Sequence, residues 1–218
     1  MNQAALSLLW QATQETLLMV GAATVLAVLG GLPLGILLAV TGPGGILEKG
    51  WLNRTLGAVV NLGRSVPFII LMVAIIPFTR RIVGTSIGTT AAIVPLTVAA
   101  IPFLARLVEG ALKEVDPGVI EAAESMGTTL LQIIYKVLLP EALPALVLAI
   151  TVTAVNLVGY SAMAGAIGGG GLGDLAIRYG YQRFRGDIML QTIAILVLLV
   201  QGMQMLGDRI AQKLYHRE

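Results

Sequence analysis

Residues 16 to 47 read TLLMVGAATVLAVLGGLPLGILLAVTGPGGIL, a run without a single Asp, Glu, Lys or Arg. A bilayer core of about 30 Å takes about 20 apolar residues as a helix, because without water every backbone N–H and C=O must be paired inside the segment. This run is long enough to cross. Four more uncharged runs follow, at residues 65 to 79, 82 to 105, 142 to 173 and 188 to 207. The shortest reaches spanning length if it begins near Leu56 and holds Arg64 close to the interface, where a long cationic side chain bends toward water. The pattern predicts five transmembrane helices: Thr16 to Val40, Leu56 to Phe78, Ile87 to Val108, Leu143 to Ala166 and Ile188 to Leu206.

The rest of the composition agrees. Of 218 residues, 14 are Lys or Arg and 12 are Asp or Glu, a charged share of 12 %, half the roughly 25 % of a soluble domain. Hydrophobic residues make up 56 % and mean hydropathy is +0.88, which excludes a dispersed globular surface. The expected fold is all-α and polytopic, one membrane domain over residues 1–218. There is no cysteine, so disulfides, thiolate nucleophiles and Cys-ligated metals are excluded. The one histidine is His216, and a net charge of +2 supports no nucleic-acid partner. The first fifteen residues lack the cationic segment of a cleavable signal, so the first span is expected to remain in the mature protein.

Five spans put the two termini on opposite sides. With the N-terminus outside, the inner side carries Lys49, Arg54, Arg64, Arg106, Lys113, Lys136, Arg209, Lys213 and Arg217, and the outer side carries Arg80, Arg81, Arg178, Arg183 and Arg185. The positive-inside bias therefore favours N-out and C-in. In that topology the longest inner stretch, Leu107 to Pro140, holds start and stop signals for two short helices. Asp116 before Pro117 reads as an N-cap followed by proline at the first helical position, and Gly127 reads as a stop. A helix from Pro117 to Met126 is only about 15 Å long at 1.5 Å per residue, so it must lie along the membrane surface. Thr129 with Gln132 forms a capping box opening the next segment, which runs to Pro140.

Within this stretch stand Glu121-Ala122-Ala123-Glu124-Ser125-Met126-Gly127 and, after nine intervening residues, Val137-Leu138-Leu139-Pro140. This resembles the EAA motif of ABC-importer permeases, departing from it only by Val137 at the isoleucine position. The resemblance implies a type I importer permease fold and assigns Glu121, Ala122, Ala123, Gly127 and Pro140 to coupling with a cytoplasmic ATPase. Small Ala122 and Ala123 would admit the helix to a partner's groove, Glu121 would pair with an arginine there, and Gly127 would make the turn.

Most of the chain is similar to the permease of the methionine importer family. The segments that carry the likeness include Arg64-Ser65-Val66-Pro67-Phe68-Ile69-Ile70-Leu71, Ile76-Pro77-Phe78-Thr79-Arg80, Leu138-Leu139-Pro140-Glu141-Ala142-Leu143-Pro144 and Leu157-Val158-Gly159-Tyr160-Ser161-Ala162-Met163. The likeness implies two copies of the permease, two ATPase subunits, an extracytoplasmic methionine-binding protein and a bacterial inner membrane. ATP and its magnesium would sit on the ATPase, because no Gly-x-x-x-x-Gly-Lys-Ser/Thr occurs here. No cofactor, metal ligand or catalytic residue is expected in this chain.

In the fourth predicted span, Thr151, Thr153, Asn156, Gly159, Tyr160, Ser161 and Met163 interrupt an apolar run. Asn156, Tyr160 and Met163 are spaced 4 and 3 apart and share one helical face. That face either lines a translocation pathway, with Tyr160 and Met163 as its gate, or packs helices through small and polar residues. Gly168, Gly170 and Gly173 match the dinucleotide fingerprint only by chance, since no strand precedes them. With Arg178, Tyr179, Tyr181, Arg183 and Arg185, they read either as a docking surface for the binding protein or as a solvated loop. Two other function classes are weighed. An intramembrane hydrolase built on Ser161 lacks a base, and an ion-coupled carrier needs ionisable groups or broken helices near mid-membrane.

Overall fold

The computed structural model describes residues 3–215, and their side chains from Ala5 onward. His216 and Arg217 lie outside these. The described chain is helical with short connections. Its order is α1 (Gln3–Thr41), α2 (Gly50–Ser65), α3 (Phe68–Ala74), α4 (Ile76–Val83), α5 (Thr89–Lys113), α6 (Pro117–Ser125), α7 (Leu130–Ile133), α8 (Leu139–Glu141), α9 (Leu143–Ala166), α10 (Gly171–Leu175) and α11 (Gly186–Tyr215), with π-helical turns at Ile134–Leu138 and Ala176–Tyr181.

Four helices, α1, α5, α9 and α11, are long and apolar enough to cross a membrane, and α2 with α3 makes a fifth span only as a pair bent by 98°. The continuous helix expected from Leu56 to Phe78 is thus broken at Val66 and Pro67 and again at Ile75. Proline disfavours helical φ and ψ in the residue before it, and Val66 is extended (φ −84°, ψ 123°). Pro33, Pro95 and Pro102 instead sit inside helices that continue through them. Only the fourth span matches its expected bounds. α1 begins well before Thr16, and α5 and α11 run beyond Val108 and Leu206 into charged sequence.

The long helices share one core, which includes Met19, Ala23, Ala27, Leu96, Ala100, Leu104, Leu146 and Leu157. Helices α1 and α5 run parallel, closely apposed through glycines. An ideal Cβ on Gly31 would lie 2.9 Å from the Ile101 carbonyl oxygen, and one on Gly35 would lie 2.6 Å from Val108 Cβ. Small residues four apart let two membrane helices approach and gain dispersion contacts that bulkier faces forfeit.

At one end of the bundle, the α9–α10 loop is tied to two other helices. The Glu15 carboxylate accepts the Gly171 N–H (2.7 Å), the Thr16 hydroxyl accepts the Leu172 N–H (2.9 Å), and Gly88 N–H donates to Gly168 O (2.8 Å). Gly171, Leu172 and Gly173 are buried, and a Cβ on Gly173 would sit 2.3 Å from Ala162 O. The glycine stretch is therefore a close-packing device between α9 and α10, and its buried part offers no docking surface.

Candidate coupling and translocation sites

Helices α6 to α8 lie at the opposite end, where α5 leaves the bundle and α9 enters it. The Asp116 carboxylate accepts the Gly118 N–H (2.7 Å), and Pro117 opens α6. At its other end Gly127 adopts φ +75°. Gly127 N–H donates to Glu124 O (2.9 Å), and Thr128 N–H donates to Ala123 O (3.4 Å). This pair of bonds is the Schellman stop, which requires a left-handed residue at the turn. Thr129 and Gln132 form the capping box of α7, with Thr129 N–H donating to Gln132 Oε1 (2.8 Å). A π-helical turn then precedes Pro140. In it Leu139 N–H reaches Ile134 O, widening the helix just where proline lacks a donor and would crowd the preceding turn.

The placement of the EAA residues divides them. Glu121, Ala122, Gly127 and Pro140 are exposed, while Ala123 is buried in the core of this same chain. The smallness of Ala123 therefore serves the seating of α6 on its own bundle, a correction to the reading that both alanines face a partner. Glu121, Ala122, Glu124 and Ser125 of α6 are exposed, and Met126, which caps it, is 82 % exposed. Glu121 and Glu124 border a cleft of about 450 Å³ that separates α6 from the α1–α2 connection and is also lined by Pro43, Gly45, Lys113 and Ile120.

On α9 the polar residues separate into two sets. Thr151, Thr153 and Ser161 donate back to Val147 O (2.8 Å), Ala149 O (2.8 Å) and Val158 O (2.7 Å). They are satisfied within their own helix and need no aqueous path. Ser161 is buried and bonded to its own helix, and among the described residues no acid–base group is hydrogen-bonded to it as a hydrolase needs. Asn156 and Tyr160 are half-buried, and Gly159 and Met163 are exposed, along one face.

Tyr160 is not a free gate. Its ring stacks on Phe68 at 4.6 Å between centroids and 1° between planes, an aromatic contact worth about 0.5–1.5 kcal/mol beyond burial. Sequence spacing did not show this partner, because Phe68 comes from α3, just past the break at Pro67. The two candidate features, polar face and broken helix, thus meet at one place.

At the other end, three arginines follow α10. Arg178 pairs with Asp174, Arg185 pairs with Asp187 at 2.5 Å, and Arg183 lies 4.4 Å above the Tyr179 ring. Between them Tyr181 is 69 % and Phe184 91 % exposed. Phe184 is held at φ +55°, a left-handed conformation rare for a bulky residue.

Comparison with known proteins identifies this architecture. The family model of the binding-protein-dependent transport system inner membrane component matches residues 31–215. A probable D-methionine transport system permease protein MetI of Vibrio cholerae is 60 % identical over 210 residues, covering 96 % of this chain and 93 % of its own length. The methionine import system permease protein MetP of Bacillus subtilis is 47 % identical over 202 residues, covering 93 % and 91 %. Among solved structures, a chain of the inward-facing MetNI methionine ABC transporter superimposes with a TM-score of 0.96 at 52 % identity, covering 98 % of this chain and 99 % of its own. An amino acid ABC transporter shares the fold alone, at TM-score 0.79 and 19 % identity. The chain belongs to the binding-protein-dependent transport system inner membrane component family, as an all-helical permease of the ABC-importer type.

Proposed function

We propose that this chain is the membrane-spanning half of an ATP-driven methionine importer. Two copies pair with each other, and each seats its α6 in one of two cytoplasmic ATPase subunits. These bind ATP and magnesium and carry out all hydrolysis. The observation that carries the reading is α6 itself. It is a short helix too small to span, fixed at both ends, and it leaves Glu121 and Ala122 exposed at the point where α5 leaves the bundle. The relatives named for methionine supply the substrate.

The orientation is N-out and C-in, which places α6 in the cytoplasm and the Arg178 to Asp187 surface outside. Tyr181 and Phe184 there are the contact for the methionine-binding protein. The broken span supports pairing. Irregular backbone at membrane depth persists only where protein or a water path covers it, yet Val66 and Pro67 are exposed in the single chain. A second copy facing α3 and α9 meets that need and encloses a pathway lined by Asn156, Gly159 and Met163. ATP binding draws the ATPases together, the α6 helices follow, and the bundle opens outward to accept methionine.

Two measurements test this. Reconstituted with its ATPase and binding protein in liposomes, the chain is expected to take up labelled methionine only with ATP and only with the binding protein, and excess unlabelled methionine should compete. Uptake driven by an ion gradient alone would refute an ATP-driven importer. Shortening the gate with Met163→Ala is expected to change the flux about fivefold or relax discrimination against methionine analogues. Unchanged flux and unchanged selectivity would make this face one of helix packing.

A further inference from the structure

A charge cluster built on a buried carboxylate sits one helical turn before α5 gives way to α6. Glu109 is 5 % exposed and takes Arg106 Nη1 on one carboxylate oxygen (2.5 Å) and Lys113 Nζ on the other (2.7 Å). Held in this way, the Arg106 guanidinium turns its second nitrogen across to α2, where Nη2 donates to Gly57 O (3.2 Å) and Asn61 Oδ1 (3.0 Å). Helix α2 is fastened at its start too. There Asn53 Nδ2 donates to Leu38 O (2.8 Å) and Thr41 Oγ1 (3.3 Å) at the end of α1.

Desolvating such a cluster is costly, and apolar residues of similar volume hold two helices together as well or better. What the cluster adds over apolar packing is direction. A planar, forked guanidinium fixes the register and rotation of one helix on another. The helix so fixed is the one that ends at the 98° break, after which Phe68 stacks on Tyr160. A connected route therefore runs from α6 through the end of α5, through Arg106 to α2, and on to the α3–α9 contact.

We propose that Arg106, oriented by Glu109 and Lys113, is a positioning residue for transport that makes α2 move with α5 when the ATPase moves α6. This rests on the importer reading above. Without the clamp, α6 and α5 still respond to ATP, but the Phe68–Tyr160 contact no longer follows.

The test is the number of methionines taken up per ATP hydrolysed in proteoliposomes containing the ATPase and binding protein. A variant that merely folds less well lowers uptake and hydrolysis together and leaves that ratio unchanged. For Arg106→Gln the ratio is expected to fall about tenfold. Arg106→Lys is expected to fall comparably, since an ammonium pairs with Glu109 but cannot serve all three acceptors in fixed geometry. The cysteine-free chain also permits a rescue. An ideal Cβ on Gly63 lies 3.4 Å from Pro102 Cβ, close to the spacing a disulfide spans. Gly63→Cys with Pro102→Cys, oxidised in the Arg106→Gln background, is expected to restore the ratio to within about twofold of the unsubstituted chain, and reduction should abolish the gain. A wild-type ratio in Arg106→Gln, or a formed disulfide that restores nothing, would overturn the clamp while leaving the importer standing. Absence of any ATP-driven methionine uptake by the unsubstituted chain would overturn the importer reading and the clamp with it.

Discussion

Gly127→Pro is expected to reduce ATP-driven methionine uptake by about a hundredfold or more while the protein still inserts and assembles. Two features of the turn require this. Gly127 stands at φ +75°, and proline is locked near −65°. Its N–H also donates to Glu124 O, a bond that proline deletes. The stop that fixes α6 relative to α7 is lost, and force applied to α6 dissipates in a loose connection. Gly127→Ala keeps the N–H and costs only the left-handed penalty of about 1–2 kcal/mol, so it should retain measurable uptake. Glu121→Lys tests the same helix by chemistry and leaves its backbone intact. If Glu121 pairs with an arginine of the ATPase as proposed, exchanging that charge-assisted bond, worth about 1.5–3 kcal/mol, for a repulsion should cost about tenfold or more in uptake. Parallel measurements of uptake and ATP hydrolysis in proteoliposomes decide it. Wild-type uptake in Gly127→Pro or in Glu121→Lys removes α6 from coupling.

How much of this was legible in the sequence depends on where each feature's determinants lie. Helix α6 was readable almost to the residue because Asp116, Pro117 and Gly127 act within a few positions of themselves. Both ends of α9 were readable too, with Pro144 at its start and the glycines just past Ala166. The start of α1 was not. Glu15 reads as a boundary charge, yet its carboxylate is satisfied by Gly171 N–H, 156 positions away, so the helix passes through it unharmed. The charged C-terminal end of α5 behaves in the same way, since Arg106, Glu109 and Lys113 satisfy one another.

The site shows the same division. Local spacing put Asn156, Tyr160 and Met163 on one face, and the structure keeps them there. Local spacing did not reveal that Tyr160 is occupied by Phe68, nor that Ala123 faces inward, because both depend on which helices meet. The break at Val66 and Pro67 did have a local signal. The residue before a proline resists helix, but a long apolar stretch outweighed it. That break is nonetheless the feature that brings an aromatic from α3 against α9.

A large effect on stability is expected at Gly35, where α1 meets α5. A Cβ there would fall 2.6 Å from both Cβ and Cγ1 of Val108 and 2.7 Å from Ala105 O. These neighbours are a β-branched stem and a backbone oxygen, and neither can swing aside. Relief therefore requires α1 to move away from α5, undoing the close approaches of Gly30 and Gly31 to Ile101 and Leu104 as well. Overpacking of this kind costs about 1–3 kcal/mol for one added carbon. For a chain of this size that corresponds to a fall in melting midpoint of up to about 10 °C for Gly35→Ala, and Gly35→Leu should leave little folded protein to purify. A control lies on α5 itself. A Cβ on Gly110 meets nothing within 4 Å, so Gly110→Ala removes the entropic cost of a helical glycine and should hold or raise the midpoint. Thermal denaturation of detergent-solubilised Gly35→Ala and Gly110→Ala beside the unsubstituted chain separates the cases. Equal midpoints for Gly35→Ala and Gly110→Ala would mean that close approach of the two backbones contributes nothing to holding α1 on the bundle.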